Sequence, residues 1–235
     1  MGTRALLSQR GFLTANLRET AKVQTYTLNS NKLTFAEAWR IGGLILWLAR
    51  LFRAPIASQT VILGDSSGVE EIPFSDFPQA QREILGPALK EAESLGFQQR
   101  LTFSLWSPQP ENSLYSCLLG KPGFNSLLLI TAVKKGPQTS LQTEVSSELA
   151  DGREILHTTS TKNFDKPDWM ETHYYQTITL KALWDAHQKR IESQQLRPVP
   201  GEKEALLTEV RKNHDRWVEY GVNRGFLVPR QSGVA

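Results

Sequence analysis

The spacing of apolar residues changes period twice along this chain. Ile84, Leu85, Ala88, Leu89, Ala92 and Leu95 recur at three- and four-residue intervals and predict an amphipathic helix over 79–95. Ser75 or Asp76 is placed to cap it, Pro78 suits its first turn, and Gly96 follows its last apolar residue, where helices often end in left-handed geometry. From Leu101 the period falls to two. Residues 101–106 alternate, 107–112 interrupt with two prolines, and 114–119 form a second strand that stops at 120–123. Residues 127–133 are almost wholly apolar, which predicts a central strand covered on both faces. Residues 141–147 alternate again, Ala150-Asp151-Gly152 is a hairpin signal, and 154–159 make a fifth strand. Short connections between successive strands predict an antiparallel meander. The helical period then returns. Leu180, Leu183, Trp184, His187 and Ile191 form one stripe; beyond Pro198 and Pro200, Leu207, Val210, His214 and Trp217 form another. The class expected is α+β: a five-stranded antiparallel meander, with the 79–95 helix and two carboxy-terminal helices packed mainly on one face.

Ahead of this unit, residues 1–73 are expected to form a smaller amino-terminal attachment, joined through a Gly-, Ser- and Pro-containing linker over 64–78. Residues 23–28 alternate and suggest one short strand. Thr34 and Glu37 have capping-box spacing for a helix from about Phe35 to Phe52, ended by Pro55. On a straight helix Ala38, Ile41, Ile45, Leu48 and Phe52 share one face, with Glu37, Arg40, Arg50 and Arg53 opposite. Residues 41–49 carry no charge. Three placements suit such a helix: a core helix, an interfacial helix with Trp39 and Trp47 at headgroup depth, Arg50 and Arg53 toward anionic lipid and Phe52 as a further membrane or partner contact, or a span over 36–57. A span needs about 20 mostly apolar residues and would hold Arg40, Arg50 and Arg53 near its ends.

Composition narrows the partners. The net charge is +3, spread over the chain without a concentrated basic patch, so no nucleic-acid partner is expected. Cys117 is the single cysteine, which forbids an intrachain disulfide and, with no apolar signal segment at the start, suits a cytoplasmic setting. The first thirty residues are Arg-, Ser- and Thr-containing, a weak likeness to an organelle transit peptide.

Candidate chemistry is sparse. No H-x-x-x-H or H-E-x-x-H pair, cysteine pair, G-x-S-x-G, P-loop or G-x-G-x-x-G occurs, so neither a metal nor a cofactor is expected. His157, His173 and His187 become a site only if the fold brings them together. Asp165, Asp168 and Glu171 fall in a stretch read as a loop, where paired acids serve acid–base work or simply meet solvent. Thr159 belongs to a hydroxyl-rich strand end fit to line a polar pocket.

The run A-D-G-R-E-I-L-H-T-T-S-T-K-N-F-D-K-P from Ala150, then L-W-D-A-H from Leu183, with Leu95-Gly96-Phe97 before them, resembles a group of uncharacterised bacterial proteins over residues 74–228. Some members carry membrane-spanning segments ahead of this domain. The resemblance implies a shared fold and a membrane setting, and no reaction. Two functions are therefore expected in competition. The first is a non-enzymatic binding or scaffold protein, peripheral to the cytoplasmic membrane surface or docked on a protein partner through residues 35–53. The alternative is a small-ligand domain or enzyme using the open sheet face, with His157, Thr159, Asp168, His173 and His187 as its residues. Nothing in the sequence fixes the oligomeric state.

Overall fold

The computed structural model describes residues 24–51, 63–105, 114–135 and 138–229; Phe52, Arg53 and the start of the chain to residue 23 lie outside these. Along the described chain run β1 (Thr25–Leu28), α1 (Phe35–Leu51), β2 (Leu63–Gly64), β3 (Val69–Glu71), α2 (Gln79–Ser94), β4 (Gln98–Leu105), β5 (Leu114–Gly120), β6 (Leu127–Lys135) and β7 (Gln138–Glu148). Then come β8 (Glu154–Thr158), β9 (Met170–Tyr174), α3 (Leu180–Ile191), α4 (Lys203–Asn223) and β10 (Leu227–Pro229).

The class is α+β, with a large, mostly antiparallel sheet. Its order is β3-β4-β5-β6-β7-β8-β9. Strands β4 to β8 are the five read from the alternation, in the antiparallel order expected. The sheet has seven strands rather than five because an edge strand is added at each side. β3 is only Val-Glu-Glu and carries no periodic signal; it pairs with Phe103–Leu105. β9 arrives after a long excursion and pairs parallel to β8, with His157 opposite His173. Glu171, read as a loop residue, therefore stands on a strand.

The helices do not share one face. Cys117, Leu119, Leu128, Ile130 and Val145 point to the side covered by α2 and α3, where they pack with Leu85, Leu89, Leu183 and Trp184. The opposite face carries Leu101, Phe103, Leu118, Leu127 and Leu129, and α4 covers it with Leu206, Leu207 and Val210. Because β5 and β6 are apolar on both faces, the sheet needs cover on both, and α4 supplies the second. The α3 stripe is buried as expected. So is the left-handed end of α2: Gly96 has φ +87°, and the Phe97 and Gly96 amides donate to the carbonyls of Ala92 and Glu93. The residue preceding α2 is Pro78; Ser75 and Asp76 instead form a separate single turn and bond each other.

A second sheet, β10-β1-β2, joins the two ends of the described chain. Leu28, Leu33, Ala38, Phe226 and Leu227 form its core. Gly221 of α4 lies so close to Leu227 that a β-carbon there would collide with its side chain. Position 73, the boundary expected from composition, falls between β3 and α2, and β3 pairs with β4 beyond it.

Helix α1 departs from the straight amphipathic rod. A straight helix would separate residues 33 and 50 by about 25 Å. Yet the Arg50 Nε donates to the Leu33 carbonyl at 3.0 Å, its guanidinium lies 5.3 Å over the Phe35 ring, and the Phe35 and Trp47 rings are 6.1 Å apart. The chain doubles back at Gly43, where φ is +58°. The expected stripe is consequently split: Ala38 is fully buried and Ile41 half-buried, but Ile45 is 81% exposed and Leu48 37%. Glu37, expected on the polar face, is wholly buried. The capping box is present, with Thr34 N donating to Glu37 Oε2 at 2.7 Å and Glu37 N to Thr34 Oγ1 at 3.1 Å. Arg224 grips the same carboxylate through both its terminal nitrogens, at 2.8 and 3.0 Å. Burial alone would raise the Glu37 carboxyl; these bonds, with the Asp165 amide, hold it down at about 2. No helix among the described residues is long and apolar enough to cross a membrane.

Candidate functional site

Two places between helix and sheet hold buried ionisable groups, one on each face. On the α3 side, pleating points Ile155 and His157 of β8 inward. Parallel pairing then sets His173 beside His157, and the α3 stripe sets His187 against His157. The His157 ring centroid is 4.5 Å from that of His173 and 5.0 Å from that of His187. Tyr175 Oη lies 3.3 Å from His157 Nδ1, and Ser147 Oγ lies 2.9 Å from His187 Nε2. Arg190 clamps Glu171 through two 2.6 Å bonds, and Glu171 holds His173 Nε2 at 2.7 Å. Three of the expected site residues are thus brought together.

Their chemistry is that of a packed core. His157 and His187 are 2% and 0% exposed. Burial, with the repulsion of neighbouring histidines, pushes His157 down to about 4 and His187 to about 3, so both are neutral near pH 7. His157 Nε2 and His187 Nδ1 are buried without a partner. Ser147 and His187 have the spacing of a nucleophile and its base, but both are sealed, and no carbonyl can reach them. Among the described residues no group of three or more His, Cys, Asp or Glu side chains is placed to hold a metal ion. Thr159 lies apart, its hydroxyl accepting the Thr143 amide at 2.9 Å.

The α4 side is hollow. α4 is fastened at one sheet edge: Arg211 Nη2 donates to the Val69 carbonyl at 2.9 Å, His214 Nε2 to that of Gly64 at 2.7 Å, and Asp215 accepts the Ser66 hydroxyl at 2.7 Å. It packs on β3 and β4 and leaves a cavity of about 420 Å³ over β6, β7 and β8. Leu118, Leu129, Leu156, Met170, Val210 and Trp217 supply apolar wall. Ser116 and Thr131, paired across β5 and β6 and 2.9 Å apart, satisfy each other within it. Arg197 closes one side by bridging Glu148 and Glu209 at 2.8 and 3.2 Å.

Four more charged residues line it, Glu144, Glu154, Lys166 and Arg216, with Glu154 directly across the β7–β8 pair from Glu148. Glu144 Oε1 accepts from Thr158 Oγ1 and Gln142 Nε2, both at 2.9 Å. Lys166 Nζ sits 5.0 Å from the Trp217 ring centroid. The Arg216 guanidinium lies 4.0 Å over Trp169 and reaches the Gly152 carbonyl at 3.4 Å. Among the described residues, no ion pair joins these carboxylates to these cations. Burial and then the neighbouring Glu144 raise the Glu154 carboxyl to about 7, against the pull of Arg216 and Lys166. Burial lowers Lys166. Glu154, Lys166 and Met170 also wall a second, polar cavity of about 360 Å³, which Asp168 and Glu171 line.

Sequence reasoning passed over this site. Glu144 and Glu154 occupy the polar phase of alternating strands, which reads as solvent-facing, and only α4's position across that face turns them inward. Of the membrane-contact candidates, Trp39 is 55% exposed, Trp47 rests against Phe35, and Arg50 is bound to Leu33. Compared with family models, curated proteins and solved structures, the chain gives no match.

Proposed function

We propose that this chain is a small-molecule-binding protein whose ligand lies between the large sheet and α4. The ligand's apolar body rests on Leu118, Leu129, Leu156 and Val210, and its polar end meets Glu144, Glu154, Lys166 and Arg216. The observation that carries this reading is a leucine-walled cavity of about 420 Å³ lined by four charged residues that no ion pair joins to one another among the described residues. Ligand sites have this make-up: mostly apolar lining with a few convergent polar groups. Calorimetric titration with decanol, decylamine and decanoate tests it. At least one binds saturably with one site per chain, and Val210→Trp, which fills the space, abolishes that binding. If none binds, or if binding survives Val210→Trp, the reading fails.

A second reading concerns α1, where Trp39, Leu44 and Ile45 are 55%, 56% and 81% exposed. This apolar end suits docking at an anionic membrane surface, by apolar insertion rather than through Arg50, which is already engaged. Wild-type protein then floats with phosphatidylglycerol-containing vesicles, and Leu44→Glu/Ile45→Glu does not. Wild-type protein left at the bottom of the gradient would redirect this surface to a protein partner.

A further inference from the structure

Beside the Arg197 bridge, Glu144, Glu154, Lys166 and Arg216 line the α4 cavity, and three of these four have a direct partner. Glu144 takes two hydrogen bonds, Lys166 lies over Trp217, and Arg216 stacks on Trp169 and bonds Gly152. Glu154 has none: its carboxylate makes no hydrogen bond or close ion pair among the described residues, and Arg216 and Lys166 act on it only through space. The two tryptophan faces take up the resident cations and keep them off it. Glu154 is half-buried and lines both cavities. A half-buried carboxylate that faces a cavity and has no protein donor is open to a donor from a ligand. We propose that the ligand's polar end is a protonated amine that hydrogen-bonds and ion-pairs with Glu154, an inference that rests on the cavity reading above.

The surroundings fit an amine better than an acid. A carboxylate at that end would sit beside both Glu144 and Glu154. The second cavity shares Glu154, Lys166 and Met170 with the first and adds Asp168, Glu171 and Arg153, so Glu154 stands between two spaces. The groups facing Glu154 are Glu144 and Glu148 from β7, Lys166 from the loop before β9 and Arg216 from α4. Since its carboxyl is raised to about 7, the charge that holds the amine disappears below neutrality.

The test compares two probes with the same alkyl chain. Decylamine is expected to bind wild-type protein about tenfold or more tightly than decanol near pH 8, the margin of a charge-assisted hydrogen bond. In Glu154→Gln the margin of decylamine over decanol is lost. In wild-type protein the margin shrinks between about pH 8 and about pH 6, because Glu154 protonates while the amine stays charged. If Glu154→Gln does not fold, this pH series decides. Equal binding of the two probes, a margin that survives Glu154→Gln or does not vary with pH, or tightest binding of decanoate overturns the amine assignment and leaves the cavity standing. If no decyl compound binds, the cavity reading itself falls.

Discussion

The two faces of the large sheet treat buried polarity in opposite ways. Under α3, three histidine rings fill their space and two of them are sealed and neutral. Under α4, Glu144, Glu154, Lys166 and Arg216 border a void, and no ion pair joins them among the described residues. Both places would draw the eye in a survey of ionisable residues. What separates them is access: His157 and His187 are sealed, whereas Glu154 has no direct partner and borders a cavity that can receive one. A perturbed titration points to a site only when a cavity accompanies it.

Truncations on adjacent residues of β6 sharpen this contrast most. Ile130 points under α2 and α3 and is fully buried; Leu129 points at the α4 cavity and is half-buried. Ile130→Ala removes packed methyl groups and leaves a new void, at a cost of about 2–5 kcal/mol. Leu129→Ala enlarges a space that already exists, so its cost falls below that range, at about 1 kcal/mol. Denaturant unfolding of both variants measures the difference. Equal losses would mean that the α4 side is as tightly filled as the other.

The pH dependence separates the faces by sign. His157 and His187 titrate lower folded than unfolded, falling from 6.5 to about 4 and about 3. Their contribution to stability is complete above 6.5 and is lost as pH falls toward those values. Glu154 behaves oppositely. Its folded carboxyl titrates near 7 against 4.5, so stability falls as pH rises from 4.5 through about 7. Glu154→Gln therefore raises the melting temperature at pH 7.5 and leaves it nearly unchanged at pH 4. His187→Leu instead flattens the acid limb below 6.5. A Glu154→Gln variant less stable than wild type at pH 7.5 would show the carboxylate to be satisfied after all.

How far the sequence foretold these two places follows from the physics of each. Period-two runs mark β4 to β8 because each strand has at least one buried face, and the α3 stripe placed His187 on the core side. His157 and His173 are sixteen residues apart and meet only because β9 returns parallel to β8, a pairing with no local signal. The cavity is less legible still. Glu144 and Glu154 look like ordinary solvent-facing strand residues, and the stripe of α4 does not say which face of the sheet it will cover. α1 misleads for a different reason: its apolar spacing is helical throughout, but Gly43 adopts φ +58° and reverses it, and a glycine inside a helical pattern is equally compatible with no reversal at all.

The smallest expected difference lies in two hydroxyls that serve the two clusters. Ser147 Oγ is the partner of His187 Nε2, and the other ring nitrogen of His187 has none. Ser147→Ala therefore leaves a sealed imidazole with no hydrogen bond to either nitrogen, at a cost of about 1–3 kcal/mol, because water cannot reach it. Thr158 donates to Glu144, which also holds Gln142 and borders the cavity. Thr158→Val removes one of two donors from a carboxylate beside a space that is polar and wide enough for water, and water can replace the lost bond. Its cost is accordingly below about 1 kcal/mol. Thermal unfolding of the two variants at one pH ranks them. Should Thr158→Val prove the more damaging, the space under α4 would be dry, and a charged ligand head could not be held there without the protein's own hydrogen bonds.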